Sequence, residues 1–489
     1  MRFPAIRRIP FGFPLLTALA VLAGCGDGGN PPQGGAGGAG GAGGAGGAGA
    51  GFPAPEVAGT PETDALADAP ARCGQPAHAW RRDADLGQVT AHVAKGTYTK
   101  ALLQTLAAEA LGSLPVTLQY DVVTYLVTYT TQDRGEPVEA TALLAWPTTV
   151  PDDAEALPTL VVLHGTSGFT DGCGPSVESD QSALAAALAS AGYVVVLPDY
   201  IGLKNAPPAT GFLHPYLVGQ ATAIASLDAV RAVGHLPEDI REGGAKVSPR
   251  VVVVGGSQGG HAALWVDRLA PYYARELEIA GIAATVPPAD MLGEARLALT
   301  EPRESTANIV AFYGASAGWY GAEDKLGEVL VAPLDKDVPT ALGSSCDPGD
   351  LLAGKGTLDA IFQKPLLDAA ASGALADFAP WGCMAGENGL DTTSVARIQK
   401  DPSSYGILFI TGEKDTLVDT ATERAAFAKL CEGGMPMQYL ECAGASHTKA
   451  TTWALPEILG FLNARLAGEP FQKQCAAGAP VVCSATPTP

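Results

Sequence analysis

A doubly wound, mostly parallel α/β sheet with an inserted, mainly helical segment is the fold that the sequence predicts. Three observations carry that reading. Short, wholly apolar, β-branched runs alternate with helical patterns between about residues 122 and 290, and strands alternating with helices of such lengths imply parallel pairing. One run, Arg250-Val251-Val252-Val253-Val254, breaks at Gly255-Gly256-Ser257-Gln258-Gly259-Gly260 and passes into His261-Ala262-Ala263-Leu264-Trp265, which reads as strand, tight turn and helix. Regularity then lapses for about 110 residues, too many for a plain loop in a compact domain, and resumes afterwards.

The chain opens with Arg2, Arg7 and Arg8, an apolar run from Phe11 to Ala23, and Leu22-Ala23-Gly24-Cys25. A basic start, a short apolar core and small residues before a cleavage point describe an export signal over 1–24, too short to span a bilayer. Leu-Ala-Gly-Cys resembles the bacterial lipobox, which implies lipidation of Cys25, and Gly26 rather than an aspartate resembles lipoproteins sent to the outer membrane. Residues 25–71 are rich in Gly, Ala and Pro. With few bulky apolar side chains they cannot offset their ordering entropy and read as a disordered tether, with a reach of roughly 35–40 Å by random-coil scaling. The expected location is the bacterial cell envelope, lipid-anchored, or the extracellular space.

Eight of the nine cysteines remain once Cys25 is set aside: Cys73, Cys173, Cys346, Cys383, Cys431, Cys442, Cys475 and Cys483. An even set in an exported chain implies four disulfides, and nearness in sequence suggests Cys431–Cys442, Cys475–Cys483 and Cys346–Cys383. No Cys-x-x-Cys or His-rich spacing points to zinc, so neither metal nor cofactor is expected. The formal charge of −21 becomes −24 without the signal, which holds three arginines and no acid; it disfavours nucleic acid and anionic substrates. A monomer is expected.

The elements follow in order. Val122 to Thr131 and Glu139 to Trp146 read as strands of a hairpin at the sheet's leading edge, turned by Gln132-Asp133-Arg134-Gly135-Glu136-Pro137. Leu160-Val161-Val162-Leu163 is apolar throughout, as a parallel strand covered on both faces should be, and His164-Gly165-Thr166-Ser167-Gly168 follows it. Asp180 to Ala191 is helical, Tyr193 to Leu197 a strand, and Pro198-Asp199-Tyr200-Ile201-Gly202 a loop. A helix over Ala221 to Val233, the strand over Arg250 to Val254 and a strand over Ile279 to Val286 complete the first part, giving a core over 72–290 and 405–489. The insertion, 291–404, reads as a helical cap or lid whose scattered aromatics Trp319, Tyr320, Phe362, Phe378 and Trp381 form mainly its own core, some lining an acyl pocket. The sheet resumes with Ile407 to Ile410 before Gly412-Glu413-Lys414-Asp415, a helix from Thr420 to Leu430, a strand from Pro436 to Leu440, the loop Ala443 to His447, and a helix from Thr451 to Leu466.

Functional groups gather beyond the carboxyl ends of parallel strands. A serine on a G-x-S-x-G turn is pushed into the open, and because a hydroxyl is a poor nucleophile it needs a histidine base and an acid elsewhere. No Gly-Lys-Ser/Thr follows the turn, which excludes a phosphate loop. Ser257, Asp415 and His447 each follow a strand, in that order. The strand before His164-Gly165, the turn Gly255-Gly256-Ser257-Gln258-Gly259, the run Gly412 to Val418 and Ser446-His447 together resemble the α/β-hydrolase superfamily over about residues 115 to 467. Within it, Pro198 to Gly202, Ser226-Leu227-Asp228-Ala229-Val230-Arg231-Ala232 and the position of the insertion are similar to the secretory lipase family. The resemblance implies a serine hydrolase of carboxylic acyl esters, lipase or esterase, acting on small-molecule or lipid esters. Ser257 would be the nucleophile, His447 the base, and Asp415 its orienting acid, with Asp419 as a rival four residues on. The amides of Gln258 and Thr166 would form the oxyanion hole. His164 and Asp199 are expected to shape loops, His261 cannot readily reach the serine it follows, and His214 is left open between pocket lining and loop capping. A peptidase, an acyltransferase and a non-catalytic binding lipoprotein on the same fold are the alternatives.

Overall fold

The computed structural model describes residues 52–68, 72–111, 116–242, 244–349, 351–399 and 401–486; the export signal and Cys25 lie outside them. Among the described residues, nine strands form one sheet in the order β1-β2-β3-β5-β4-β6-β7-β8-β9. They are β1 (Val89–Tyr98), β2 (Val122–Asp133), β3 (Glu136–Pro147), β4 (Leu157–Leu163), β5 (Val194–Pro198), β6 (Val247–Gly256), β7 (Glu278–Thr285), β8 (Ile407–Gly412) and β9 (Met437–Cys442). The first three pair antiparallel and β3 joins β5 antiparallel, whereas β5, β4, β6, β7, β8 and β9 run parallel.

The valine-rich strands are apolar on both faces because both faces are covered. Val251 and Val253 pack with Leu163 against the helices Gly219–Gly234 and Gln258–Tyr273. Val252 points the other way, with Leu160 and Val195, against Ser179–Ser190 and Leu455–Leu466. This is the doubly wound arrangement expected.

Several details differ from the sequence reading. The β2–β3 hairpin is not the sheet edge, because β1 pairs outside it from Val89 to Tyr98. That strand is largely exposed, so its residues carry little of the apolar alternation by which a strand is recognised. Residues 52–68, read as tether, lie on the body: Phe52 and Leu66 are buried in the main core, and Thr60 caps the helix Pro61–Ala67 through a reciprocal bond with Thr63. The final helix is two, His447–Trp453 and Leu455–Leu466, divided where Pro456 enters the first turn of the second. Between β7 and β8 the chain forms the helices Met291–Thr300, Thr306–Tyr320, Leu334–Ser344, Lys364–Ser372 and Trp381–Asn388.

Four disulfides form among the described residues, but none of the three suggested pairs is among them. The bridges are Cys73–Cys383, Cys173–Cys346, Cys431–Cys475 and Cys442–Cys483. Topology overrides nearness in sequence here. Cys431 ends a helix at the start of β9, whereas Cys442 is at the strand's far end. The tail runs beside β9, from the Gln474 amide on the Met437 carbonyl to the Val481 bridge at Cys442. One bridge staples each end of it, covering an otherwise open edge. The other two tie the helical insertion to the body. Replacing Cys442 and Cys483, separated by 41 residues, with alanines is expected to cost about 4 kcal/mol by loop-closure entropy, read from denaturant midpoints. Intact mass under non-reducing conditions should show none of the eight thiols free.

Candidate active site

The turn after β6 is built by contacts that leave no room for side chains. A Cβ on Gly255 would sit 2.0 Å from the Gly259 carbonyl oxygen, one on Gly259 2.0 Å from that of Leu163, and one on Gly260 2.6 Å from that of Thr285. Strand and helix therefore meet closely, and Ser257 between them adopts φ +57° and ψ −122°, a conformation that a residue with a Cβ avoids unless its surroundings impose it. The Ser257 amide donates to the Thr285 carbonyl at 2.9 Å and its carbonyl accepts from His261 at 3.0 Å. Its hydroxyl makes no capping bond to the helix. Tyr200, Leu217 and Val286 also have positive φ; Leu217 lines the same cleft as Ser257, and the other two follow strand ends.

Asp415 and His447 meet from the loops after β8 and β9. His447 Nδ1 lies 2.8 Å from Asp415 Oδ2, with the carboxylate 2% and the imidazole 10% exposed, so solvent screens the contact little. Asp415 Oδ1 accepts from the Leu417 and Val418 amides at 2.9 and 3.0 Å. The other ring nitrogen of His447, Nε2, is buried with no hydrogen-bond partner among the described residues. Asp419 is placed otherwise. It caps the helix Thr420–Glu432 through Thr422 and pairs with Arg303 at 3.1 Å.

Gln258 is the first residue of its helix, and its side-chain Nε2 lies 2.6 Å from His214 Nε2. His214 Nδ1 donates to the Ile201 carbonyl at 2.8 Å, and burial pushes its pKa down to about 3, so the neutral ring accepts from the Gln258 amide. His214 thus orients Gln258. Thr166 is buried, its hydroxyl 2.9 Å from the Tyr216 hydroxyl, which also accepts from Asn308 Nδ2 at 3.0 Å. His164 stacks on Tyr200 at 4.2 Å and accepts the Tyr200 hydroxyl on its carbonyl. Asp199 takes Ser176, Thr141 and Asn205, and burial nevertheless raises its carboxyl to about 7. His261 bonds the Asn388 carbonyl at 2.7 Å and joins the helix to the insertion. Among the described residues no group of three or more His, Cys, Asp or Glu could hold a metal, and no helix is long and apolar enough to cross a membrane.

One participant has no sequence signal. Glu294, on the first helix of the insertion, lines the cleft at Ser257 and accepts the Asp419 amide at 2.7 Å. Reciprocally, Glu423, on the helix after Asp419, accepts the Ala289 and Asp290 amides. Burial first, then the charges of Asp419 and Asp415, push Glu294 up to about 8, against the Asp419 amide and Arg303. Burial and Glu294 raise Glu423 likewise. A carboxyl that keeps its proton in the fold while the unfolded chain loses it makes stability fall as pH rises from about 4.5 to about 8. Glu294→Gln, which can still accept the Asp419 amide, is expected to remove up to about 1.4 kcal/mol per pH unit from that slope, read from urea midpoints at pH 5, 6.5 and 8. Equal slopes in parent and variant would exclude a protonated Glu294.

The expected aromatics do not line this cleft. Trp319, Tyr320, Phe362 and Trp381 are buried within the core, and aliphatic side chains with Tyr216 face Ser257 instead.

The fold matches solved lipases and esterases. The rice cell wall degrading esterase LipA from Xanthomonas oryzae is 19% identical, with a TM-score of 0.60 over 79% of this chain and 98% of that one. Candida antarctica lipase A in its closed state is 18% identical, with a TM-score of 0.59 over 82% and 87%. Comparison with curated protein sequences gives no match. Residues 172–300, which include the β6 turn, match the family model of secretory lipases. The chain has the fold of these lipases and esterases, and its segment 172–300 matches the secretory lipase family model.

Proposed function

We propose that the protein is a serine hydrolase of carboxylic acyl esters, acting outside the cytoplasm and held to the membrane by lipid on Cys25. The carrying observation is the pairing of His447 with buried Asp415 while His447 Nε2 stands without a partner, together with a serine on a strained turn that shares its cleft with Leu417 and Val418 of the Asp415 loop. In this reading Ser257 Oγ attacks the ester carbonyl carbon as His447 Nε2 takes its proton. The tetrahedral intermediate collapses by breaking the bond to the alcohol oxygen, which receives that proton. Water then attacks the acyl-enzyme with the same base, releasing the acid and restoring Ser257. The amides of Gln258 and Thr166 are the proposed oxyanion donors, each worth about 10²–10³ in rate. His214 and Tyr216 act as their positioning residues, the helical insertion is the cap over the site, and 1–24 is the export signal.

The secretory lipase match supports the ester substrate, and four disulfides support an oxidising compartment. Labelling with diethyl p-nitrophenyl phosphate tests the nucleophile. Stoichiometric release of p-nitrophenol with the added mass on the peptide containing Ser257 is expected, and its absence in active-folded protein would refute the assignment.

A further inference from the structure

The cleft at Ser257 is small. Its cavity volume is about 40 Å³, and since a water needs roughly 10–15 Å³ of such space, it holds about three non-hydrogen atoms. Beside Tyr216, Leu217 and Pro288, its apolar wall draws on two further segments. Met291 and Ile309 belong to the first two helices of the insertion, and Leu417 and Val418 to the loop that carries Asp415. Met291 and Ile309 are nearly fully buried, so they are packed from behind.

The same wall is braced by polar contacts. Asn308, next to Ile309, donates to the Tyr216 hydroxyl and so connects its helix to Thr166. Glu294 accepts the Asp419 amide and closes the other side. Two disulfides then fasten the insertion to the body from different directions: Cys73 precedes β1 and holds Cys383, and Cys173 follows β4 and holds Cys346. A cap that swung wide would have to carry both attachment points with it. A larger cavity, about 460 Å³ beside Asp267, Arg397 and Tyr405, does not include Ser257 and offers the acyl chain no extension.

We propose, resting on the serine-hydrolase reading, that the enzyme is a short-acyl esterase: its acyl pocket accepts chains of about two to four carbons, Met291 and Ile309 set that limit, and the doubly bridged cap does not open at a lipid interface. The carbonyl carbon is held at Ser257, so a pocket for about three further atoms corresponds to an acetyl to butyryl group. Longer chains meet packed side chains and the buried carboxyl of Glu294, which an apolar chain cannot satisfy.

The test is the ratio kcat/KM for p-nitrophenyl acetate, butyrate, octanoate and dodecanoate, each below and above its solubility limit, in the disulfide-intact full chain. Acetate or butyrate should lead octanoate by at least about tenfold, with no jump in rate when an interface forms. Ile309→Ala should move the optimum upward by about two carbons, and Met291→Ala, an independent substitution, should move it the same way. An optimum at octanoate or beyond, a jump at the interface, or profiles unchanged in both variants would overturn the proposal. Phosphorylation of Ser257 by diethyl p-nitrophenyl phosphate separates the two readings. A labelled serine with a long-chain optimum, or with no ester turned over, rejects the short-acyl pocket alone; no label and no turnover rejects the hydrolase reading as well.

Discussion

Ser257→Ala is expected to lower kcat on a short acyl ester by about 10⁶-fold, and His447→Ala by about as much, with the double variant scarcely worse, because nucleophile and base act as one unit. Stability should hardly move. The Ser257 hydroxyl caps nothing, so its loss removes no structural hydrogen bond, and alanine inherits the positive φ at the same backbone strain that serine already bears. That contrast distinguishes chemistry from folding. A serine kept for the turn alone would show the reverse, with activity near that of the parent and a lowered midpoint of unfolding. The measurement is turnover of p-nitrophenyl acetate beside urea denaturation for the parent and both variants. Residual kcat above about one per cent in Ser257→Ala would end the nucleophile assignment, since surviving oxyanion and binding contributions alone leave only about 10³–10⁴ over water.

The turn around Ser257 was legible because its constraints are local. Three glycines are spaced where any Cβ would strike the backbone, by contacts as short as 2.0 Å, and the strand before them is a run of valines buried on both faces. The meeting of Asp415 with His447 was legible for a related reason: each stands a few residues after a strand, and parallel strands deliver their following loops to one end of the sheet. What failed to show depends on contacts between distant segments. Cys431 and Cys442 are near in sequence but at opposite ends of β9, and the tail that bridges to both could not be placed beside that strand from its composition. β1 is exposed along most of its length, so no periodicity marked it. Glu294 is an ordinary helical glutamate until burial and the neighbouring carboxylates of Asp419 and Asp415 act on it. The aromatics of the insertion drew attention that belonged to Met291 and Ile309, because side-chain size in a sequence says nothing of which face of a helix turns to Ser257.

Asp415→Asn is expected to reduce kcat by about 10⁴-fold, whereas Asp419→Asn should stay within about tenfold of the parent. Asp415 Oδ2 meets His447 Nδ1 at 2.8 Å, and Asp415 Oδ1 is already committed to the Leu417 and Val418 amides. An asparagine there keeps its oxygen on those two amides and turns its NH2 toward the imidazole. The ring then accepts at Nδ1 and carries its proton on Nε2, the tautomer that cannot remove a proton from Ser257. Asp419 faces a helix end and Arg303, and asparagine caps a helix nearly as well as aspartate. Asp419→Ala therefore affects folding, by about 1 kcal/mol, more than chemistry. The pH dependence sharpens the comparison: a wrong tautomer is a loss at every pH where the parent works, so raising the pH should not rescue Asp415→Asn. Kinetics of the three variants between pH 6 and 9, with stability measured on the same preparations, decide it. A large loss in Asp419→Asn with Asp415→Asn near the parent would transfer the acid's role four residues along the loop.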